Sequence, residues 1–164
     1  KRGMSENSAL VKGVNRAWDA GLVVVVAAGN NGPRTMSITT PGISRKVITV
    51  GCSDDDREVL VGGNRMVDYS GRGPTAACIC KPDLVAPGCS VVSCSSRADK
   101  YTIKSGTSMS TPIVSGAVAL LLERFPDMSN KDVKLRLRES SVDIGLPRNQ
   151  QGWGLLDVGK MLER

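Results

Sequence analysis

LVVVVAAGN, residues 22–30, opens with seven aliphatic side chains and closes on Gly29 and Asn30. No polar residue alternates through Leu22 to Ala28, which is the signature of a strand buried on both faces. Just before it, NSALVKGVNRAWDA (7–20) places Leu10, Val14, Ala17 and Trp18 at helical spacing, and Gly21 supplies a stop. A helix that feeds a fully buried strand predicts an α/β domain built on a mainly parallel sheet with flanking helices.

The rest of the chain extends this pattern. KVITVGC (46–52) reads as a second buried strand, and residues 57–69 as a hairpin turning at Gly62-Gly63-Asn64. DLVAPG then leads into CSVVSCS, a third candidate strand. SGTSMSTPIVSG (105–116) opens a helix from about Ser108 to Arg124, whose apolar positions run almost all round and predict a central, buried helix. Ser129 with Asp132 resembles a capping box for a helix to about Glu139, and LLDVGKMLE closes the chain with a short one. Residues 1–164 read as one unit, with no internal repeat and no boundary.

Composition narrows the function classes. The chain is 40% hydrophobic but has one Phe, two Tyr and two Trp, so aliphatic and small side chains must fill the core. The net charge of +6 comes from scattered residues. The densest basic stretch, KDVKLRLRE (131–139), interleaves with Val133, Leu135 and Leu137 and reads as a solvated helix face. With so few rings for stacking, no nucleic-acid partner is expected. No run approaches the ~20 apolar residues of a membrane helix, and no membrane partner is expected. Five cysteines cannot all pair within one chain, which suits a reducing compartment such as the cytoplasm. Cys78, Cys80, Cys89 and Cys94 lack zinc-ribbon spacing, and the chain has no histidine to help them, so no metal is expected.

Ser108 stands at the mouth of the apolar helix, where backbone N–H groups point outward toward any developing negative charge. Taken singly, Ser108 reads as a helix cap and Asn30-Asn31-Gly32-Pro33 as a turn. Taken jointly with their neighbours, they read differently. AAGNNGP (27–33), TPG followed by KVITVG (40–51), YSGRGP (69–74), KPDLVAPG (81–88), SGTSMSTPIVSG and GWGLLD (152–157) occur in the order and spacing of the subtilisin-like serine proteases, and the chain resembles that family along nearly its whole length. The sedolisins share a GTS motif but place an aspartate in the oxyanion position, so Asn30 and Met109 favour the subtilisins.

The resemblance implies a partial subtilisin-like fold and hydrolysis of peptide bonds in a polypeptide substrate. It makes Ser108 the nucleophile, with the Ser108 N–H and the Asn30 carboxamide as oxyanion donors. Thr107 lies beside them in support, and Met109 packs against the nucleophile. Ala27, Ala28 and Gly29 correspond to the backbone wall of the pocket for the side chain before the cleaved bond, and Thr39 to its floor. Pro41 matches a cis-proline position, so the Thr40–Pro41 bond is expected to be cis. No cofactor is implied, and calcium is left open for a complete domain.

The chain departs from the family in having no histidine in 164 residues. The general base that takes the Ser108 proton must then come from elsewhere. In the family the Asp and His precede the nucleophile, so residues 1–164 read as the C-terminal portion of a catalytic domain, inactive alone. Lys104 as a Ser–Lys partner would need a buried site, and Asp68, Asp83 or Asp99 would need large pKa shifts, so none replaces the histidine. The alternative is a non-catalytic pseudo-protease that binds peptides or supports assembly. Loss of the neighbours of the strand at 22–28 would expose its edge and favour self-association there.

Overall fold

The structure, a computed structural model, describes residues 7–96 and 100–163; Asp99 lies outside them. Helix α1 (Ala9–Asp19) is capped by Ser8, whose hydroxyl accepts a hydrogen bond from the Val11 N–H. Its inner stripe is Val11 and Trp18, two turns apart, while Leu10 stands exposed. Val11 packs with Ala28, Ile38 and Ile43, and Trp18 enters the main core. Of the stripe predicted from spacing, Trp18 is buried and Val14 and Ala17 are half-buried, while Val11 takes the inner place expected of Leu10.

Seven strands follow among the described residues: β1 (Val25–Ala27), β2 (Ile48–Cys52), β3 (Val59–Val61), β4 (Asn64–Met66), β5 (Leu84–Ala86), β6 (Val91–Cys94) and β7 (Tyr101–Lys104). β1, β2 and β5 form a parallel sheet in that order, with Val25 opposite Ile48 and Val50 opposite Leu84. β2 is central and wholly buried. β1 is an edge of this sheet, so its residues are half-buried and not enclosed on both faces, and the ladder covers fewer residues than the aliphatic run.

The third parallel strand is β5, not the 89–95 stretch. Pro87 has no N–H to give a ladder and breaks the chain after Ala86. Val91–Cys94 instead pairs antiparallel with β7. β3 and β4 form the predicted hairpin, turning on Gly62 and Gly63, both at positive φ as a two-residue type I′ turn demands.

Helix α2 (Thr107–Arg124) lies on the sheet. Val114, Ala117, Val118 and Leu121 face Ile48, Val50, Leu84 and Ala86 in the core. Its opposite side, with Ser108, Pro112, Ser115, Gly116 and Ala119, is exposed. The helix is thus buried on one side, although its composition is apolar almost all round. Helices α3 (Asn130–Ser140), α4 (Arg148–Gln151) and α5 (Val158–Leu162) complete the layer, and Val133, Leu137 and Met161 close the core. The capping box is present: the Ser129 hydroxyl accepts from the Asp132 N–H and the Asp132 carboxylate accepts from the Ser129 N–H.

One buried ion pair locks the sheet. Lys81 Nζ, fully enclosed, donates to Asp83 Oδ2 at 2.6 Å and to the Val47 carbonyl at 2.9 Å. Asp83 Oδ2 also accepts from the Thr49 N–H, so the pair staples the start of β2 to the start of β5. Burial pulls the Lys81 ammonium down to about 8, with the Asp83 carboxylate pulling against it. Asp83 is therefore committed to packing and is far from a free base. No helix among the described residues is long and apolar enough to cross a membrane.

Candidate active site

Two chain segments meet where β1 ends and α2 begins. Beyond β1 the Ala28 N–H still reaches the Val50 carbonyl at 2.9 Å. Gly29 then takes φ of 94°, which releases the chain from the ladder and presents Asn30. On the other side Gly106, at φ 141°, donates its N–H to the Gly88 carbonyl at 2.9 Å, and α2 starts at the next residue.

Thr107 joins the two. Its N–H and its hydroxyl both donate to Asn30 Oδ1, each at 3.0 Å, and its hydroxyl accepts from the Gly29 N–H at 3.2 Å. With its oxygen held by two donors, the Asn30 carboxamide turns Nδ2 away from Thr107. Ser108 follows immediately and is exposed. Its own N–H belongs to the helix-start set that has no intrahelical partner. The flanking Thr107 and Met109 N–H groups are taken, by Asn30 Oδ1 and by the Gly106 carbonyl at 2.8 Å. The Ser108 N–H is the open donor of the turn. An accessible hydroxyl, an open helix-start N–H and an oriented carboxamide are the parts needed to attack a carbonyl and hold the resulting oxyanion.

The YSGRGP stretch buttresses this corner. The Gly32 N–H donates to the Tyr69 carbonyl and the Gly71 N–H to the Gly29 carbonyl, both at 2.8 Å. A Cβ on Gly32 would fall 2.3 Å from the Ser70 carbonyl oxygen, so that position must be glycine. Asp55 Oδ2 accepts from the Ser70 N–H, and burial of that carboxyl raises its pKa. None of this support is legible in the isolated motifs; its only signal is that the glycine-rich blocks occur together in one chain.

Ala27, Ala28 and Gly29 lead directly into Asn30, and Thr39 packs against them. The Ala28 carbonyl accepts from the Thr39 N–H at 2.9 Å and from its hydroxyl at 3.3 Å. A Cβ on Gly29 would lie 2.2 Å from Thr39 Oγ1. The Thr40–Pro41 bond is cis. The structure brings Asn30, Thr107, Ser108, Gly29 and Thr39 into one neighbourhood. Lys104 is exposed at the end of β7 opposite Val91, without the buried site that a Ser–Lys partner would need, and Asp68 is tied to Arg72 at 3.2 Å.

A parallel α/β sheet with a carboxamide at one strand end and a serine at the start of the covering helix defines a subtilisin-like fold. The model of the subtilase family matches residues 1–154, and the chain belongs to that family. It is 42% identical over 145 residues to serine protease AprX of Bacillus subtilis (strain 168), covering 80% of this chain and 33% of that protein. It is 35% identical over 158 residues to subtilisin DY of Bacillus licheniformis, covering 95% of this chain and 52% of that protein. Among solved structures, a psychrophilic protease, S41, superposes with a TM-score of 0.73 at 30% identity, over 94% of this chain and 54% of that one. The chain thus spans between a third and a little over half the length of these relatives.

Proposed function

We propose that the protein is a serine endopeptidase in which this chain supplies the nucleophile and the oxyanion donors. Ser108 Oγ attacks the carbonyl carbon of a peptide, its proton passes to a general base, and the amine leaves from an acyl-enzyme that water then hydrolyses. The negative oxygen of each tetrahedral intermediate is held by the Ser108 N–H and Asn30 Nδ2. The observation that carries this reading is the double hydrogen bond from Thr107 to Asn30 Oδ1, which orients the carboxamide before substrate arrives.

The base and its carboxylate partner come from sequence outside these residues, since the 164 residues contain no histidine. The exposed side of α2, running from Ser108 through Pro112 to Ser115, is the face on which they would dock. Taken alone, residues 1–164 are then inactive. The half-buried β1 edge is the surface through which isolated copies would self-associate, and sedimentation showing only monomer at micromolar concentration contradicts that part.

The substrate side chain before the cleaved bond lies along Ala27, Ala28 and Gly29 and stops at Thr39. The Ala28 carbonyl and the Gly29 N–H and carbonyl are all engaged internally, so this wall offers van der Waals contact and favours a small side chain. Casein hydrolysis by the full-length protein tests the reading. Activity that Ser108→Ala abolishes supports it, and a full-length protein that binds peptides without cleaving them favours a non-catalytic module.

A further inference from the structure

Away from Ser108 and Asn30, a second cluster of chemistry-bearing side chains converges. β2 ends on Cys52, fully buried; Asp54 lies two residues on, and Cys89 follows the Pro87-Gly88 turn after β5. Cys52 Sγ stands 3.1 Å from Asp54 Oδ1, and Cys52 Sγ, the Asp54 carboxylate and Cys89 Sγ all fall within 4.8 Å of one another. Tyr69 Oη lies 3.2 Å from each sulfur. The Ser110 hydroxyl crowds the same spot, fully buried and without a hydrogen-bond partner among the described residues. A Cβ on Gly88 would meet Ser110 Oγ at 2.3 Å and Cys52 Sγ at 2.8 Å.

We infer that Cys52, Asp54 and Cys89 form a site for a thiolate-preferring divalent cation of the zinc type, with the Tyr69 hydroxyl or a water as fourth ligand. Ligand atoms sharing one cation at ~2.0–2.3 Å cannot stand more than about 4.6 Å apart; Cys52 Sγ and Asp54 Oδ1, at 3.1 Å, stand well inside that span, and Cys89 Sγ lies within 4.8 Å of both. Two sulfurs and one carboxylate select zinc over magnesium or calcium. Binding displaces one proton from each thiol and moves no electrons. The carboxylate is already oriented: Asp54 Oδ1 accepts from the Gly88 N–H at 2.7 Å and from the Cys89 N–H at 3.2 Å. Half-exposed Cys89 gives the cation a way in.

This is not the cysteine set weighed from the sequence, since Cys78, Cys80 and Cys94 are all exposed. Nor does the cluster favour a disulfide, which would recruit neither oxygen and would need an oxidant to reach buried Cys52. A cation here would brace the turn whose Gly88 carbonyl holds the Gly106 N–H, one residue before Thr107.

The test is metal titration of the full-length chain after reduction and chelation, with cobalt(II) as optical probe and zinc(II) as competitor. One cobalt per chain is expected, with a sulfur-to-cobalt charge-transfer band that zinc abolishes and a thermal midpoint that zinc raises. Cys89→Ser should lose the band with its circular dichroism unchanged, and because Cys89 is only half-buried this variant guards against a trivial folding failure of Cys52→Ser. Absence of the band and of zinc at one per chain overturns the site. So does formation of a Cys52–Cys89 disulfide with oxidised glutathione that saturating zinc fails to prevent.

Discussion

Asn30 Oδ1 accepts two hydrogen bonds from a single residue, the Thr107 N–H and the Thr107 hydroxyl, each at 3.0 Å. The relationship settles which way the carboxamide faces, because only its oxygen can meet two donors. It also couples the end of a strand to the start of a helix 77 positions later. On the proposed reading, the oxyanion donor is thereby fixed by the residue adjoining the proposed nucleophile.

On the proposed reading, Asn30→Ala removes one of two oxyanion donors and leaves the Ser108 hydroxyl in place. In the full-length protein it should lower kcat by about 10²–10³, or roughly 3–4 kcal/mol, a size established for a subtilisin carboxamide donor, with KM little changed. Steady-state kinetics on a peptide substrate check this, and a variant affecting KM alone would assign Asn30 to ground-state binding.

Thr107→Val keeps the shape of the side chain and the N–H bond but removes the hydroxyl from both Asn30 and Gly29. Net hydrogen-bond energies of about 0.5–1.5 kcal/mol per bond, for two bonds, predict a loss of about fivefold to about a hundredfold in kcat at constant KM. Thr107→Ser should restore it, since serine retains the hydroxyl. Failure of serine to rescue would mean that the methyl group, and not the hydrogen bonds, positions the site.

Thr39→Gly opens the space behind Gly29 that Thr39 Oγ1 now fills. The ratio of kcat/KM for substrates with a large side chain before the cleaved bond to those with a small one should rise about tenfold or more, the scale of a few methylenes admitted to a pocket. An unchanged ratio would remove Thr39 from the pocket floor.

Lys81 gives a pH dependence of stability. Its folded pKa of about 8 lies below the ordinary lysine value. Below pH 8 both states hold the proton, whereas between about 8 and 10.4 the unfolded chain binds a proton that the folded one has released. This group therefore makes stability rise with pH across that window. Thermal midpoints against pH should show a component that Lys81→Met flattens. At pH 7 the same substitution should destabilise by about 3 kcal/mol, because it strips the buried Asp83 carboxylate of its nearer cation.

Much of this architecture can be read from local pattern. The uninterrupted aliphatic runs locate β1 and β2, Gly62-Gly63 marks the hairpin and Ser129 with Asp132 marks the start of α3. What escapes is what depends on distant partners. Val11 displaces Leu10 as the buried residue of α1 because Ile38 and Ile43 pack against that face. β5 is only three residues long, so the longer run at 89–95 outweighs it until the break at Pro87 is taken into account. The same holds in the site: Ser108 and Asn30 stand out in family-like motifs, whereas the paired Thr107–Asn30 hydrogen bonds and the Cys52–Asp54–Cys89 cluster exist only once β1, β2, β5 and α2 are assembled.

The most direct measurement is covalent labelling of the full-length protein with a fluorophosphonate, followed by mass spectrometry of its peptides. Rapid modification of Ser108 alone, lost on denaturation and slowed in Asn30→Ala, is the predicted result. Peptide cleavage by the protein with Ser108 unmodified, or labelling that persists unchanged after unfolding, would contradict the account.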